Sequence, residues 1–159
     1  MLPLLLIGCG VPALQPGFED ALTETGGCGD VVVYARDPER TVGLMFIADD
    51  ALVSSVPESM DYDLASAESA TNRWLTAYQG VEVGEIWCND VSTGAETLKR
   101  SWVAVAGTAT VDVTPDGNGG GLADVAITGA TLQSDDDAEV TVDLAAFTWS
   151  GISVGWLPG

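Results

Sequence analysis

From Arg100 to the end of the chain, apolar and polar residues alternate. A period of two commits a polypeptide to extended strands, because successive side chains then point to opposite faces of a sheet. Val103, Val105, Ala109, Val111 and Val113 share one phase, with Gly107 placed as the expected bulge or bend, while Thr108, Thr110 and Asp112 form a solvated opposite face. Ala123, Val125 and Ile127 repeat the arrangement with Asp124 and Thr128 outward. Val140, Val142, Leu144 and Ala146 alternate against Glu139, Thr141 and Asp143, and Ile152, Val154 and Trp156 close the chain. Strands at this spacing, punctuated by Gly and Asp clusters, predict an all-β fold: an antiparallel β-sandwich, Ig-like in general outline, of about eight or nine strands. A closed barrel is the alternative architecture.

The first half reads less cleanly. Asp30 to Arg36 is a β-branched run of strand length, and Arg36-Asp37-Pro38-Glu39-Arg40 is a turn with Pro38 fixing the backbone. Thr41 to Ala48 returns as a second strand whose two phases are both apolar, which predicts a central strand covered on both sides. Asp49-Asp50 begins a turn, and Leu52 to Val56 is a short strand. Residues 57–80 leave two readings open. Leu64, Ala67, Thr71, Leu75 and Tyr78 approximate a short helical stripe near 64–78, with Asp61 or Asp63 as its cap and Gly80 as its stop. The competing reading has two extended pieces, Met60 to Leu64 and Arg73 to Tyr78, and the β-rich surroundings favour it. Val83 to Cys88 is then a strand, followed by a loop through Gly94.

Charge removes whole classes of function. The chain carries 24 acidic residues against five basic ones, Arg36, Arg40, Arg73, Lys99 and Arg100, for a net charge of -19. Such a surface repels phosphate backbones and no basic stripe offsets it, so nucleic acid is excluded as a partner. There is no histidine, which closes Ser-His-Asp and Cys-His catalysis and nearly all zinc hydrolases. No glycine-rich loop leads into a Walker lysine.

At the amino-terminal end an apolar run from Met1 to Ile7 passes through Gly8 into Cys9. It is too short for a transmembrane helix, which needs about 20 apolar residues. Leu6-Ile7-Gly8-Cys9 resembles the lipobox of bacterial lipoproteins. That resemblance implies cleavage between Gly8 and Cys9, a diacylglyceryl thioether on Cys9 and acylation of the new amine. Residues 1–8 are then a signal segment, 9–27 a lipidated cysteine with a flexible tether rich in Pro and Gly, and 28–159 the domain. Each buried methylene contributes about 0.8 kcal/mol, so several acyl chains make attachment effectively permanent. An Asp after the cysteine would imply retention at the inner membrane; Gly10 stands there, which implies the outer membrane, with the domain facing the periplasm or the exterior. In composition and architecture the domain is similar to uncharacterised acidic all-β lipoproteins of Gram-negative bacteria. With Cys9 assigned to lipid, Cys28 and Cys88 are left as a pair, and in an exported chain a pair is most simply a disulfide. Closing a loop of about 60 residues would contribute on the order of 4 kcal/mol through the unfolded state.

Few residues suggest chemistry. Asp116-Gly117-Asn118-Gly119-Gly120-Gly121 with Asp124 behind it makes Asp116, Asn118 and Asp124 candidate calcium ligands, since hard cations take clustered oxygens on glycine-permitted turns. The segment departs from the EF-hand pattern at Gly120 and Ile127, and a hairpin connection is its commoner meaning. Asp135-Asp136-Asp137 and Asp49-Asp50 read as solvated turn tips. The tryptophans Trp74, Trp87, Trp102, Trp149 and Trp156 would serve sugar rings if several were exposed in line, although aromatics within strands usually fill cores. The reading is an envelope-anchored lipoprotein whose domain binds a protein or glycan partner without catalysis and without a required cofactor. A carbohydrate-binding module, with or without calcium, is the alternative, and a hydrolase using a carboxylate pair comes third.

Overall fold

The period-two runs do build an all-β antiparallel fold, and a computed structural model describes residues 13–48, 56–89 and 91–155. Eight strands follow in order: β1 (Glu24–Cys28), β2 (Val32–Arg36), β3 (Val42–Ile47), β4 (Glu58–Asp63), β5 (Leu75–Val81), β6 (Thr97–Pro115), β7 (Gly121–Ser134) and β8 (Thr141–Val154). A 3-10 turn (Phe18–Ala21) precedes β1, and a six-residue helix α1 (Ala67–Asn72) separates β4 from β5. The strands form one sheet in the order β1-β2-β3-β5-β6-β7-β8, with β4 paired to β6.

β6 organises this sheet. On one edge its first half pairs with β5, ending at Thr76 opposite Val103, and its second half pairs with β4, starting at Asp63 opposite Thr108. β7 runs along the other edge for nearly the whole length. The long strands bend, and the sheet curls as a half-barrel whose two halves face each other like sandwich layers. β4 lies across the core from β3, where Phe46 and Tyr62 meet edge to face at 5.7 Å and Tyr62 meets Trp74 at 4.9 Å. The end of β8 comes back to β1, where the Gly155 N–H donates to the Gly29 carbonyl. Between the layers lie Leu44, Phe46, Leu75, Trp102, Ile127, Leu132, Leu144 and Trp149, all fully buried.

The bend in β6 corrects one expectation. Val103 and Val105 were assigned to the same inward phase as Ala109, Val111 and Val113; instead Trp102 and Ala104 point inward before Gly107, and Ala109 onward points inward after it. The register slips twice around this glycine, and each extra residue in one strand turns the side chains that follow to the other face. Gly107 sits at φ 109, and a Cβ there would stand 2.6 Å from the Ala130 Cα. Only glycine allows β6 and β7 to approach that closely while bending.

Other expectations are met or amended. β2 and β3 appear where expected, with β3 central between β2 and β5. Residues 57–80 combine the two open readings: extended pieces at β4 and β5 flank a helix shorter than the stripe suggested. That helix is capped by Ser66, whose Oγ accepts the Ser69 N–H at 3.0 Å, and not by Asp61 or Asp63. Val83 to Cys88, expected as a strand, is a succession of turns. The described part of the expected tether, residues 13–27, belongs to the fold instead: Leu14 and Leu22 are buried in the core and Glu24–Cys28 is β1. Glu-Thr-Gly-Gly-Cys has no strand-like composition, yet pairing with β2 satisfies its backbone, and Gly27 lets Ile152 and Ser153 of β8 lie against it. Cys9, Asp49, Asp50, most of Leu52–Val56 and Trp156 lie outside the described residues.

Candidate functional site

Val81 and Thr97 are register partners, so residues 82–96 form a long loop whose ends meet. Loops of this kind are packed by their own side chains and frequently carry function. This one lies down on the outer face of β2, β3 and β5. Val83 is buried at its foot and donates its N–H to the Arg40 carbonyl at 2.8 Å. Trp87 wedges between Tyr34 of β2 and Tyr78 of β5, with ring centroids 5.6 and 5.5 Å away. Beneath it is Gly43 of β3, where a Cβ would come within 2.6 Å of the indole Cη2. Cys88, the next residue, closes the disulfide to Cys28 of β1, with the two Cα atoms 5.5 Å apart. The predicted bond is therefore present, and it staples the loop to the first strand.

Charged groups brace the same loop. Arg36 donates from Nε to Glu24 at 2.9 Å and from Nη1 to the Gly84 carbonyl at 2.8 Å, while its guanidinium lies 5.7 Å from the Tyr34 ring centroid. Arg40 and Glu82 pair at 3.1 Å. The Glu85 carboxylate accepts the Thr93 N–H at 2.6 Å, the Thr93 hydroxyl, and the Glu96 N–H at 3.0 Å. Those bonds, from Thr93 above all, hold its pKa below the usual carboxylate range. Burial pushes the Tyr78 phenol up, opposed in part by a hydrogen bond with Thr76.

The candidate calcium ligands Asp116 and Asp124 are each engaged with backbone N–H groups of different segments. Asp116 Oδ1 caps its own hairpin, accepting the N–H groups of Asn118 at 2.7 Å and Gly120 at 3.1 Å. Asp124 reaches across to β8 and accepts the Gly151 N–H at 2.7 Å. Among the described residues no three His, Cys, Asp or Glu side chains are gathered as a metal would require. The Asp135-Asp136-Asp137 turn is also divided in its contacts. Asp135 receives both guanidinium nitrogens of Arg73, at 2.8 and 3.2 Å, together with the Ser101 hydroxyl, and Asp137 accepts the Glu139 N–H at 3.0 Å.

Of the tryptophans, Trp74, Trp102 and Trp149 fill the core, and Trp87 is half-buried in its stack. No row of exposed indoles faces solvent among the described residues. Where β5 and β4 part along β6, an open cleft of about 250 Å3 remains, lined by Leu64, Ser66, Val103, Val105 and the Arg73–Asp135 pair. Its walls mix apolar side chains with Ser66 and one ion pair, which is internally neutralised. It offers no uncompensated charge for an ionic ligand.

The loop brace escaped sequence reasoning. Arg36 was placed in a solvated turn and Glu85 inside an expected strand, and the signal that could have found the loop was the length of the stretch from Glu82 to Glu96, interrupted by Gly84, Asn89 and Gly94. Comparison with protein-family models, with curated proteins and with solved structures gives no match.

Proposed function

We propose that this chain is an outer-membrane lipoprotein, anchored through lipid on Cys9, whose β-domain is a non-catalytic binding or interaction module. The observation that carries the reading is the division of the three cysteines. Cys28 and Cys88 are joined to each other. Cys9 is therefore left outside the disulfide, at the end of an apolar run resembling a lipobox. A structural disulfide also suits an oxidising compartment such as the periplasm. Support for a non-catalytic role comes from how the acidic groups are used: Asp37, Glu85, Asp116 and Asp124 each accept backbone N–H groups, and Asp135 holds Arg73. The glycan alternative has the weaker support, because three tryptophans are spent on the core. Mass spectrometry of the full chain expressed in a Gram-negative host tests the anchor. Cys9 should be the first residue, carrying a diacylglyceryl thioether and an acylated amine, and Cys9→Ala should leave the membrane fraction. An unmodified Cys9 in wild-type protein overturns the reading.

A further inference from the structure

We propose that the free edge of β8, from Thr141 to Ser150, is a docking strand for an extended, cationic segment of another polypeptide. The inference rests on reading the domain as a binding module and does not depend on the lipid at Cys9. β8 pairs with β7 on one side. On the other, its last residues meet β1 at Gly27 and Gly29, and β8 also approaches β2. Between Thr141 and Ser150 the backbone bonds to nothing but β7 among the described residues. A row of unpaired N–H and C=O groups is a template for another strand, and proteins that must not use it blunt it with charge, proline or a cover.

The chain blunts the edge at β4, which lies off the main strand path beside β6. β4 carries Glu58, Asp61 and Asp63 in six residues. β8 carries only Asp143 in fourteen, with no proline, and is rich in Thr, Val, Phe, Trp and Ile, the residues that fit a pleated surface. Leaving the longer edge open while charging the shorter one distinguishes a pairing site from a neglected margin.

Charge selects the occupant. A second copy would bring a net -19 against -19, which opposes self-pairing at neutral pH. A basic strand is drawn by the same field. At the entrance to the edge stand Asp136, Asp137, Glu139 and Asp143, none of them in an ion pair among the described residues. Main-chain bonds along the edge would supply affinity, and lysine or arginine side chains over these carboxylates would supply orientation.

The test uses the full-length chain and a peptide of about ten residues with alternating lysine and valine, the length that spans this edge. A second peptide has the same sequence and charge but N-methylated alternate amides, which cannot bond as a strand. Hydrogen exchange is read by mass spectrometry over 141–150. At a peptide concentration about ten times Kd, the first peptide should slow exchange there about tenfold, and the methylated one should leave it unchanged. Ala145→Pro should abolish the protection. Ala145 is exposed and falls between the Thr128–Ala146 and Ala130–Leu144 register pairs, without a register partner of its own on β7. A melt of the variant checks that it remains folded. Equal effects of the two peptides would reduce the interaction to charge and overturn the proposal, as would protection that rises with protein concentration alone. Loss of the lipid reading would instead show in the intact mass of the same sample.

Discussion

Gly43 holds its place because an indole lies where a side chain would be. Replacing it with alanine puts a methyl 2.6 Å from Trp87 Cη2 and 3.0 Å from Val83 Cγ1, and overpacking of this kind costs about 1–3 kcal/mol. Gly43→Ala should lower the melting temperature and shift Trp87 emission to the red as the ring is displaced, with Trp87→Phe as the spectroscopic control. The disulfide acts on the same loop from the unfolded side. Cys28 and Cys88 lie 60 residues apart, and opening that loop in the Cys28→Ser, Cys88→Ser double variant should cost about 4 kcal/mol in a denaturant melt. Glu85 supplies a pH signature. Its folded pKa is depressed by Thr93, so its bonds contribute fully above the ordinary carboxylate range and are lost as pH falls through the depressed value. Thr93→Val should return the Glu85 pKa toward the ordinary range in a carbon-detected NMR titration, and loop amides should then open at a higher pH than in the wild type.

Among the elements, the strands that were legible in the sequence are the ones whose faces differ. The first half of β7 and the second half of β6 alternate cleanly because one side meets the core and the other meets water. β1 was illegible, since Glu-Thr-Gly-Gly-Cys owes its strand state to what β2 and β8 impose on it and not to its own propensities. The loop at 82–96 was misjudged for the opposite reason: its Val83 and Trp87 are apolar for packing on an outer sheet face, a tertiary fact with no local period. Gly107 was legible as a bend but not in its consequence, because a bulge reverses the phase and the sequence does not say by how many residues the register moves. Its role gives an element-scale prediction. Gly107→Ala must place a Cβ against the β7 backbone at a φ that L residues rarely adopt, so β6 and β7 would have to separate at the bend. The loss should exceed the roughly 1 kcal/mol ordinarily assigned to a Gly/Ala difference in an unstrained element. Exchange of the amides around Ala104 and Ala130 should rise first, whereas Gly117→Ala, at an open turn with nothing near its Cβ, should leave those amides alone.

At the scale of the whole molecule, one quantity governs both stability and association. A net charge of -19 on 159 residues repels itself in the folded state. Raising NaCl from about 20 mM to about 0.5 M shortens the screening length from about 20 Å to about 4 Å and should raise the melting temperature at pH 7. The same charge guards the open edge of β8. As pH falls toward the isoelectric point near 4.1, the guard is withdrawn while the strand's outer N–H and C=O groups, unpaired among the described residues, persist. Self-pairing should therefore appear in light scattering between about pH 5 and pH 4, where carboxylates take up protons. If β8 is the seam, Ala145→Pro should suppress that scattering at unchanged net charge, and neutral charge alone would then be insufficient for association. Equal scattering by the variant and the wild type would locate the contact elsewhere on the surface and remove the reason for treating β8 as an open edge.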